Sequence, residues 1–203
     1  PIAAPSANIS GRPSPTKFEH VKHDLDGRIY GIIQAEDIDE GIESTVIDCT
    51  SYPFKIARPG SITIEMINKV LPNSIINEKL DLEKPIAPGM KYKHYSPDTP
   101  VKILKSFNAL PTSTSNWTQT AFIVPRSKQA LIPEAAKFIP LCEDENDIKG
   151  ANHNLYQILH QLDQDDQIQH AFIYGFDLND NTTAIMNRMM KAANQSIIEG
   201  ADL

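Results

Sequence analysis

Cysteine is nearly missing from this sequence. Cys49 and Cys142 are the only two among 203 residues, too few for a disulfide framework or a four-cysteine zinc site. A reducing, cytoplasmic setting is expected. Long apolar runs are missing as well. None approaches the roughly 18–20 residues of a membrane-crossing helix, and the opening residues carry no signal-peptide pattern, so no membrane partner is expected. Basic charge is in deficit: 19 Lys and Arg face 26 Asp and Glu, for a formal charge of −7. A generic nucleic-acid binder needs basic surface, so that class is disfavoured and only a local basic site remains allowed. Internal repeats and low-complexity tracts are absent. What remains is ordinary for a globular chain, with 40% hydrophobic and 22% charged residues. That composition excludes wholesale disorder, and the length suits one large domain or two small ones.

Residues 1–16 hold four prolines with Ser, Asn and Gly between them, which reads as an ordered loop. Thr16 is placed to cap a short helix beginning at Lys17. Gly27 to Ile33 reads as a strand. Ser44 to Thr50 and Phe54 to Arg58 read as two more, joined as a hairpin by Ser51-Tyr52-Pro53. Ser61 or Thr63 then caps a helix with Ile64, Ile67, Val70 and Leu71 on one face. Residues 72–100 contain five prolines and little periodicity, the mark of a linker with some extended structure. From 101 onward strands (101–104, 121–124, 138–141, 171–174) alternate with helices (152–162, 183–193). This predicts a small α/β domain with a mainly parallel sheet. The expected organisation is thus 1–71, a linker over 72–100, and a second domain over 101–203.

Four segments carry residue types suited to chemistry. Ala3-Ala4-Pro5-Ser6-Ala7-Asn8-Ile9-Ser10-Gly11 is a proline-stiffened loop of small residues. Such a loop lets a ligand reach backbone N–H groups, which can line an anion site, although Asn and Ser also favour plain turns. Glu43-Ser44-Thr45-Val46 sets hydroxyls at the mouth of a strand, a place for ligand groups or simply a strand start. Arg58-Pro59-Gly60 offers a guanidinium fork for phosphate or carboxylate; alone it would read as a surface junction. Ala87 to Pro97 gathers Lys91, Tyr92, Lys93, His94 and Tyr95 in the linker. There Lys can neutralise phosphate and Tyr or His can stack, the plain alternative being a solvated basic stretch. Elsewhere the signals are structural. His20 and His23 lack a third ligand at zinc spacing, so no metal site is expected. His153 and His160 read as helix-surface residues, Cys49 as core, Asp24 and Asp26 as part of a turn at Gly27. Met186, Met189 and Met190 read as packing, and Asn187-Arg188 as an anchor for a domain contact.

In sequence order, Ala-Pro-Ser-Ala-Asn-x-Ser-Gly-x-x-Ser-Pro-Thr, Glu-Ser-Thr-Val and Arg-Pro-Gly-x-Ile-Thr resemble the second half of the YrdC/YwlC domain. Ala87 to Pro97 resembles the linker of the long, two-domain members, and the chain from about 101, including Ala184 to Ala193, resembles their extra domain. The resemblance implies an α/β fold: the C-terminal part of a YrdC-like domain with a twisted mixed sheet, a linker, and a small Rossmann-like domain. It implies a threonylcarbamoyl-AMP synthase, which joins L-threonine, bicarbonate and ATP and releases pyrophosphate. A separate transferase, with its complex, then modifies tRNA. By similarity Ser6, Asn8, Ser14, Arg58, His94 and Tyr95 would serve ATP, and Ala4 and Ser44 the threonine. Magnesium is implied by the pyrophosphate leaving group, with no ligand for it legible. The family's N-terminal portion, with its Lys-x-Arg motif, has no counterpart here. The Pro1 start is therefore expected to mark a cut through a catalytic domain, and the 203 residues alone are expected to be inactive. Gln34-Ala35-Glu36 stands where the family tends to have Asp-Gly-Gly, which removes backbone freedom. A non-catalytic nucleotide- or RNA-binding fragment, or a docking scaffold, are the competing readings.

Overall fold

The computed structural model describes residues 1, 4–36, 38, 41–76, 95–105, 107 and 117–203. Two sheets organise them. The first has three short strands in the order β1-β2-β3: β1 Val46–Asp48, β2 Phe54–Arg58 and β3 Ile75–Ile76. β1 and β2 form the predicted antiparallel hairpin, turned through a cis Tyr52–Pro53 peptide. β3 lies parallel to β2. Two helices accompany this sheet, α1 Phe18–Leu25 and α2 Ile64–Val70. Thr63 caps α2, its hydroxyl accepting from Met66 N at 3.2 Å, and satisfies one of the amides a helix start leaves orphaned.

Three expectations fail in this part of the chain. Residues 27–33 form turns and bends, not a strand. Tyr30 and Ile33 are exposed, and a strand whose N–H and C=O groups find no neighbouring ladder has little to hold it. Thr16 does not cap α1. The capping position is Lys17, without a side-chain bond, while Thr16 is buried and its own N–H donates to His20 Nδ1 at 3.2 Å. Cys49 is exposed beyond the end of β1, not core. The predicted face of α2 is only partly covered: Ile64 and Ile67 are half-buried, Val70 and Leu71 are exposed, and no residue of the helix is buried.

The second sheet has five strands, all parallel, in the order β6-β5-β7-β4-β8. They are β4 Val101–Lys105, β5 Thr120–Val124, β6 Lys137–Pro140, β7 His170–Tyr174 and β8 Ile197–Glu199. Every residue of β5 is buried, which is why it reads as an unbroken apolar run: a parallel sheet covered on both faces has no solvent side. Helices α3 Ile148–Asp163 and α4 Thr183–Ala192 cover one face. Asp147 caps α3, accepting from Gly150 N at 2.9 Å. The predicted α3 stripe of Leu155, Ile158, Leu159 and Leu162 is buried against Ile103, Ile123 and Ile173. Met186 and Met189 pack in this core as predicted, and Met190 lies against it. The opposite face packs Leu104, Phe107, Phe122, Val124 and Phe172 with Trp117. β8 was not anticipated, because three residues are too few to show an alternation.

The two parts meet along α3 and α4. Gly41 has φ +66°, and a Cβ there would fall 2.4 Å from the Asn152 carbonyl oxygen and 2.4 Å from His153 Cα. Only glycine permits so close an approach. His153 is exposed as expected, but His160 is not. Its ring stacks on that of His20 at 4.0 Å between centroids, so the helix turn expected on the surface is buried by α1. No helix among the described residues is long and apolar enough to cross a membrane.

Candidate functional site

The turn after β2 is pressed against the entry to β1. A Cβ on Gly60 would fall 2.3 Å from Thr45 N and 2.6 Å from the Glu43 carbonyl oxygen, so the Arg-Pro-Gly segment lies directly on Glu43-Ser44-Thr45. Arg58 completes the junction: its Nε and Nη2 donate to the Ser44 carbonyl at 3.3 and 3.2 Å. Thr45 Oγ1 donates to the Ile62 carbonyl at 2.7 Å. Two segments singled out separately in the sequence are therefore one structure.

The proline-rich loop approaches the same place. Asn8 stitches it internally, its Nδ2 donating to the carbonyls of Ile9 at 2.9 Å and Arg12 at 3.3 Å. Ile9 N donates to the buried Asp24 at 3.0 Å, so Asp24 holds the loop as well as belonging to the turn. Arg12 pairs with Asp98 and with Asp163 of α3, both at 2.7 Å. At the end of the loop Ser14 Oγ donates to Glu43 Oε1 at 2.9 Å. Between the loop, α1 and residues 32–36, 38 and 41–43 opens a cavity of ≈ 440 Å³, lined among others by Ser6, Ser14, Ala35, Glu43 and Tyr156.

Glu43 is the centre of the arrangement. Besides Ser14 it accepts from Tyr156 Oη at 2.9 and 3.0 Å and from Arg188 Nε at 3.2 Å. Burial opposes its ionisation, but the Arg188 guanidinium, a backbone hydrogen bond and the Ser14 and Tyr156 hydroxyls outweigh it and hold the carboxyl below its ordinary range. Arg188 is 1% exposed. Its Nη1 donates to the carbonyls of Pro59 and Ala184, while its Nη2 is buried with no partner among the described residues. This side chain is the anchor between the two parts that the sequence suggested. Tyr95 is buried against the cluster, stacked on Tyr156 at 5.3 Å and 27°, with Lys191 Nζ 5.7 Å from its ring centroid. Burial and the Glu43 charge push the Tyr95 hydroxyl up to about 12. Burial, then the Arg188 charge, bring Lys191 down to about 8. Arg58, Arg188 and Lys191 act together with the Glu43 carboxylate on this small region. Guanidinium and ammonium groups in a half-buried setting are groups that can meet an anionic ligand.

Of the residues named from the sequence, Ser14, Ser44 and Arg58 are gathered around Glu43, and Ser6 shares the cavity with Ser14. Ala4 is exposed and Asn8 serves its own loop. Tyr95 lies in the α3–α4 core, while His94 falls outside the described residues. Of Gln34-Ala35-Glu36, Ala35 and Glu36 line the cavity. Sequence reasoning missed the Glu43 carboxylate, Arg12, Tyr156 and Lys191. The signal for Tyr156 was present: Tyr156, His160 and Asp163 form a polar stripe beside the apolar stripe of α3. Among the described residues no three His, Cys, Asp or Glu converge to hold a metal ion.

Comparisons with known proteins bear on the same segments. A family profile described as threonylcarbamoyl-AMP synthase, C-terminal domain, matches residues 62–194, and one described as telomere recombination matches residues 1–60. The threonylcarbamoyl-AMP synthase of Bacillus subtilis is 36% identical over 98% of this chain and 58% of its own length. The crystal structure of Pyrococcus abyssi Sua5 complexed with L-threonine superposes with a TM-score of 0.75 at 30% identity, over 97% of this chain and 59% of that one. A variant of the same archaeal protein, with an adjacent histidine and tyrosine both changed to alanine, gives a TM-score of 0.73 at 29% identity, over 97% and 58%. The chain thus spans less than two thirds of the length of these relatives.

Proposed function

The chain belongs to the threonylcarbamoyl-AMP synthase family, and on that premise we propose that the full-length protein makes threonylcarbamoyl-AMP from L-threonine, bicarbonate and ATP. In this reading the threonine amine and bicarbonate form a carbamate with loss of water. A carbamate oxygen attacks the α-phosphorus, the bond to the β,γ-phosphates breaks, and pyrophosphate leaves. A separate transferase, acting on tRNA, consumes the mixed anhydride. The setting is the cytoplasm, in keeping with two unpaired cysteines.

Ser6, Asn8, Ser14 and Arg58 are assigned to ATP, with His94 and Tyr95 of the linker, and Ala4 and Ser44 to threonine. The observation that carries the assignment is the junction itself: the Arg58 turn packed on Glu43-Ser44-Thr45, beside a cavity shared by Ser6 and Ser14. The Ser44 carbonyl fixes the Arg58 fork, so its charge is positioned before a triphosphate arrives. Preorganised charge of this kind is the main lever on phosphoryl chemistry. Ser14 has one hydroxyl proton, and here it goes to Glu43. Donation to a phosphate oxygen therefore requires that bond to be exchanged. The archaeal variant altered at an adjacent His-Tyr pair supports attention to His94-Tyr95. The division at 71 and 100, and the Rossmann-like character of 101–203, belong to the same proposal, supported by the all-parallel order of the second sheet.

The test is pyrophosphate release that depends on both threonine and bicarbonate, measured on the full-length protein and on these 203 residues. Full-length protein is expected to be active, its Arg58→Ala variant at least about a hundredfold slower, and the 203 residues alone inactive. ATP binding by an inactive full-length protein would favour a non-catalytic nucleotide-binding role.

A further inference from the structure

We infer that the parallel-sheet unit acts on the site through Glu43, with Tyr156 and Arg188 as its positioning residues. This deepens the functional reading above and rests on it for the identity of the ligands. The geometry begins on α3. Asn152, Tyr156, His160 and Asp163 recur on successive turns of one side of that helix, and each turn holds a different piece of the first part of the chain. Gly41 lies on the Asn152–His153 backbone, Tyr156 donates to Glu43, His160 stacks on His20, and Asp163 pairs with Arg12. One rigid helix thereby fixes both the loop through Ser14 and the mouth of β1.

The chemistry of Glu43 explains why Arg188 and Tyr156 matter most. Glu43 is a carboxylate beside Ser14 and Ser44, residues assigned to a polyanion and an amino acid. Left alone, its charge would repel a triphosphate. Arg188, nearly inaccessible to water, offsets that charge through its ion pair to Glu43 Oε2. The direction of the Ser14 hydroxyl follows from where Glu43 sits, and Tyr156 and Arg188 determine that position. Neither residue need touch the substrate to control it.

The experiment uses Tyr156→Phe, which keeps the ring stacked on Tyr95 but removes the O–H, together with Arg188→Lys and Glu43→Gln. In the full-length enzyme, Tyr156→Phe is expected to raise the KM for ATP about tenfold with little change in thermal midpoint, as a small misplacement of binding groups does. Its acid limb of kcat/KM should move to higher pH, since Glu43 loses a donor that favours its ionised form. Glu43→Gln should abolish that limb, and Tyr156→Phe should then add nothing. In the 203-residue chain, amide hydrogen exchange of residues 8–14 should quicken about tenfold in Tyr156→Phe and in Arg188→Lys. Wild-type exchange in both variants, or kinetic effects that add in full to those of Glu43→Gln, would overturn the proposal. An inactive wild-type enzyme would overturn only the functional reading, because the exchange measurement decides the positioning by itself.

Discussion

Replacing Arg188 with Met tests whether the two parts of the chain are fastened by charge. The substitution keeps most of the side-chain volume but removes the ion pair to Glu43 and the donors to the Pro59 and Ala184 carbonyls. Breaking a buried pair by deleting one partner costs about 3–5 kcal/mol, because the surviving charge is left buried. Here Glu43 is 17% exposed at its side chain and keeps Ser14 and Tyr156 as donors. Partial access to water and two remaining hydrogen bonds place the cost at the lower end, about 3 kcal/mol. Against a domain stability of about 5–15 kcal/mol that is a large fraction. Urea unfolding followed by Trp117, the single tryptophan, reads the loss, since that ring packs on Phe122 of the parallel sheet. A double-mutant cycle with Glu43→Gln isolates the pair, with a coupling of about 2 kcal/mol. The sign of its pH dependence is fixed. The Glu43 carboxyl is held below its ordinary value of 4.5, so its contribution is complete above about that pH and is lost as pH falls through the lower folded-state value. The cost of Arg188→Met should shrink accordingly on acidification below 4.5. A coupling below about 0.5 kcal/mol, or a cost that does not change on acidification, would refute the reasoning.

Two further outcomes follow from the same seam. Gly41→Ala should cost about 2 kcal/mol or more, since it forces a positive φ on alanine and drives its Cβ into the α3 backbone. Gly27→Ala, also at positive φ but with nothing within 4 Å, should lose only about 1 kcal/mol; equal losses in thermal unfolding would show that the close approach is unimportant. The stacked histidines supply an acid-sensitive element. Burial, then the neighbouring His160, lower His20 to about 4, and burial lowers His160. Both are held neutral in the fold, so their contribution is full above about pH 6.5 and falls away toward pH 4. His20→Phe should flatten stability against pH across that window, and an unchanged slope in urea titrations would dispose of the idea.

The fold was most legible where a segment's own pattern matched its surroundings. β5 and β7 hold short apolar runs buried on both faces, β4 sets buried Val101, Ile103 and Leu104 beside an exposed Lys102, and α3 and α4 have apolar stripes that meet that sheet. The β1–β2 hairpin followed from two β-branched runs and a proline turn. The failures have a common cause in partners distant in sequence. Gly27 to Ile33 has strand composition, but strand formation depends on a neighbouring ladder that local pattern cannot report. His160 reads as a surface residue on a helical wheel drawn for α3 alone. It is buried because α1, some 140 residues earlier in the chain, lies on that side. Cys49 falls one residue past the end of β1, and the two faces of so short a strand are not distinguished by alternation.

The same distinction governs the site. Ser6, Ser14, Ser44 and Arg58 could be singled out because their local motifs, loop, strand mouth and strand–turn–helix junction, already suggest ligand chemistry. Glu43 sat inside one of those motifs and was passed over for its hydroxyl neighbours. What makes it central is the combination of Tyr156 and Arg188, more than 110 residues away. Yet a trace of that combination was readable. A soluble helix normally shows one apolar stripe and one solvated face, and α3 carries an aromatic hydroxyl, an imidazole and a carboxylate at steps of four and three residues. A mixed stripe of that kind faces neither lipid-like core nor open water; it needs partners that are themselves polar and fixed. The first part of the chain supplies them in order, with Glu43, His20 and Arg12. The polar stripe is thus the complement of the motif-bearing loop, and the second part of the chain bears on the site through it.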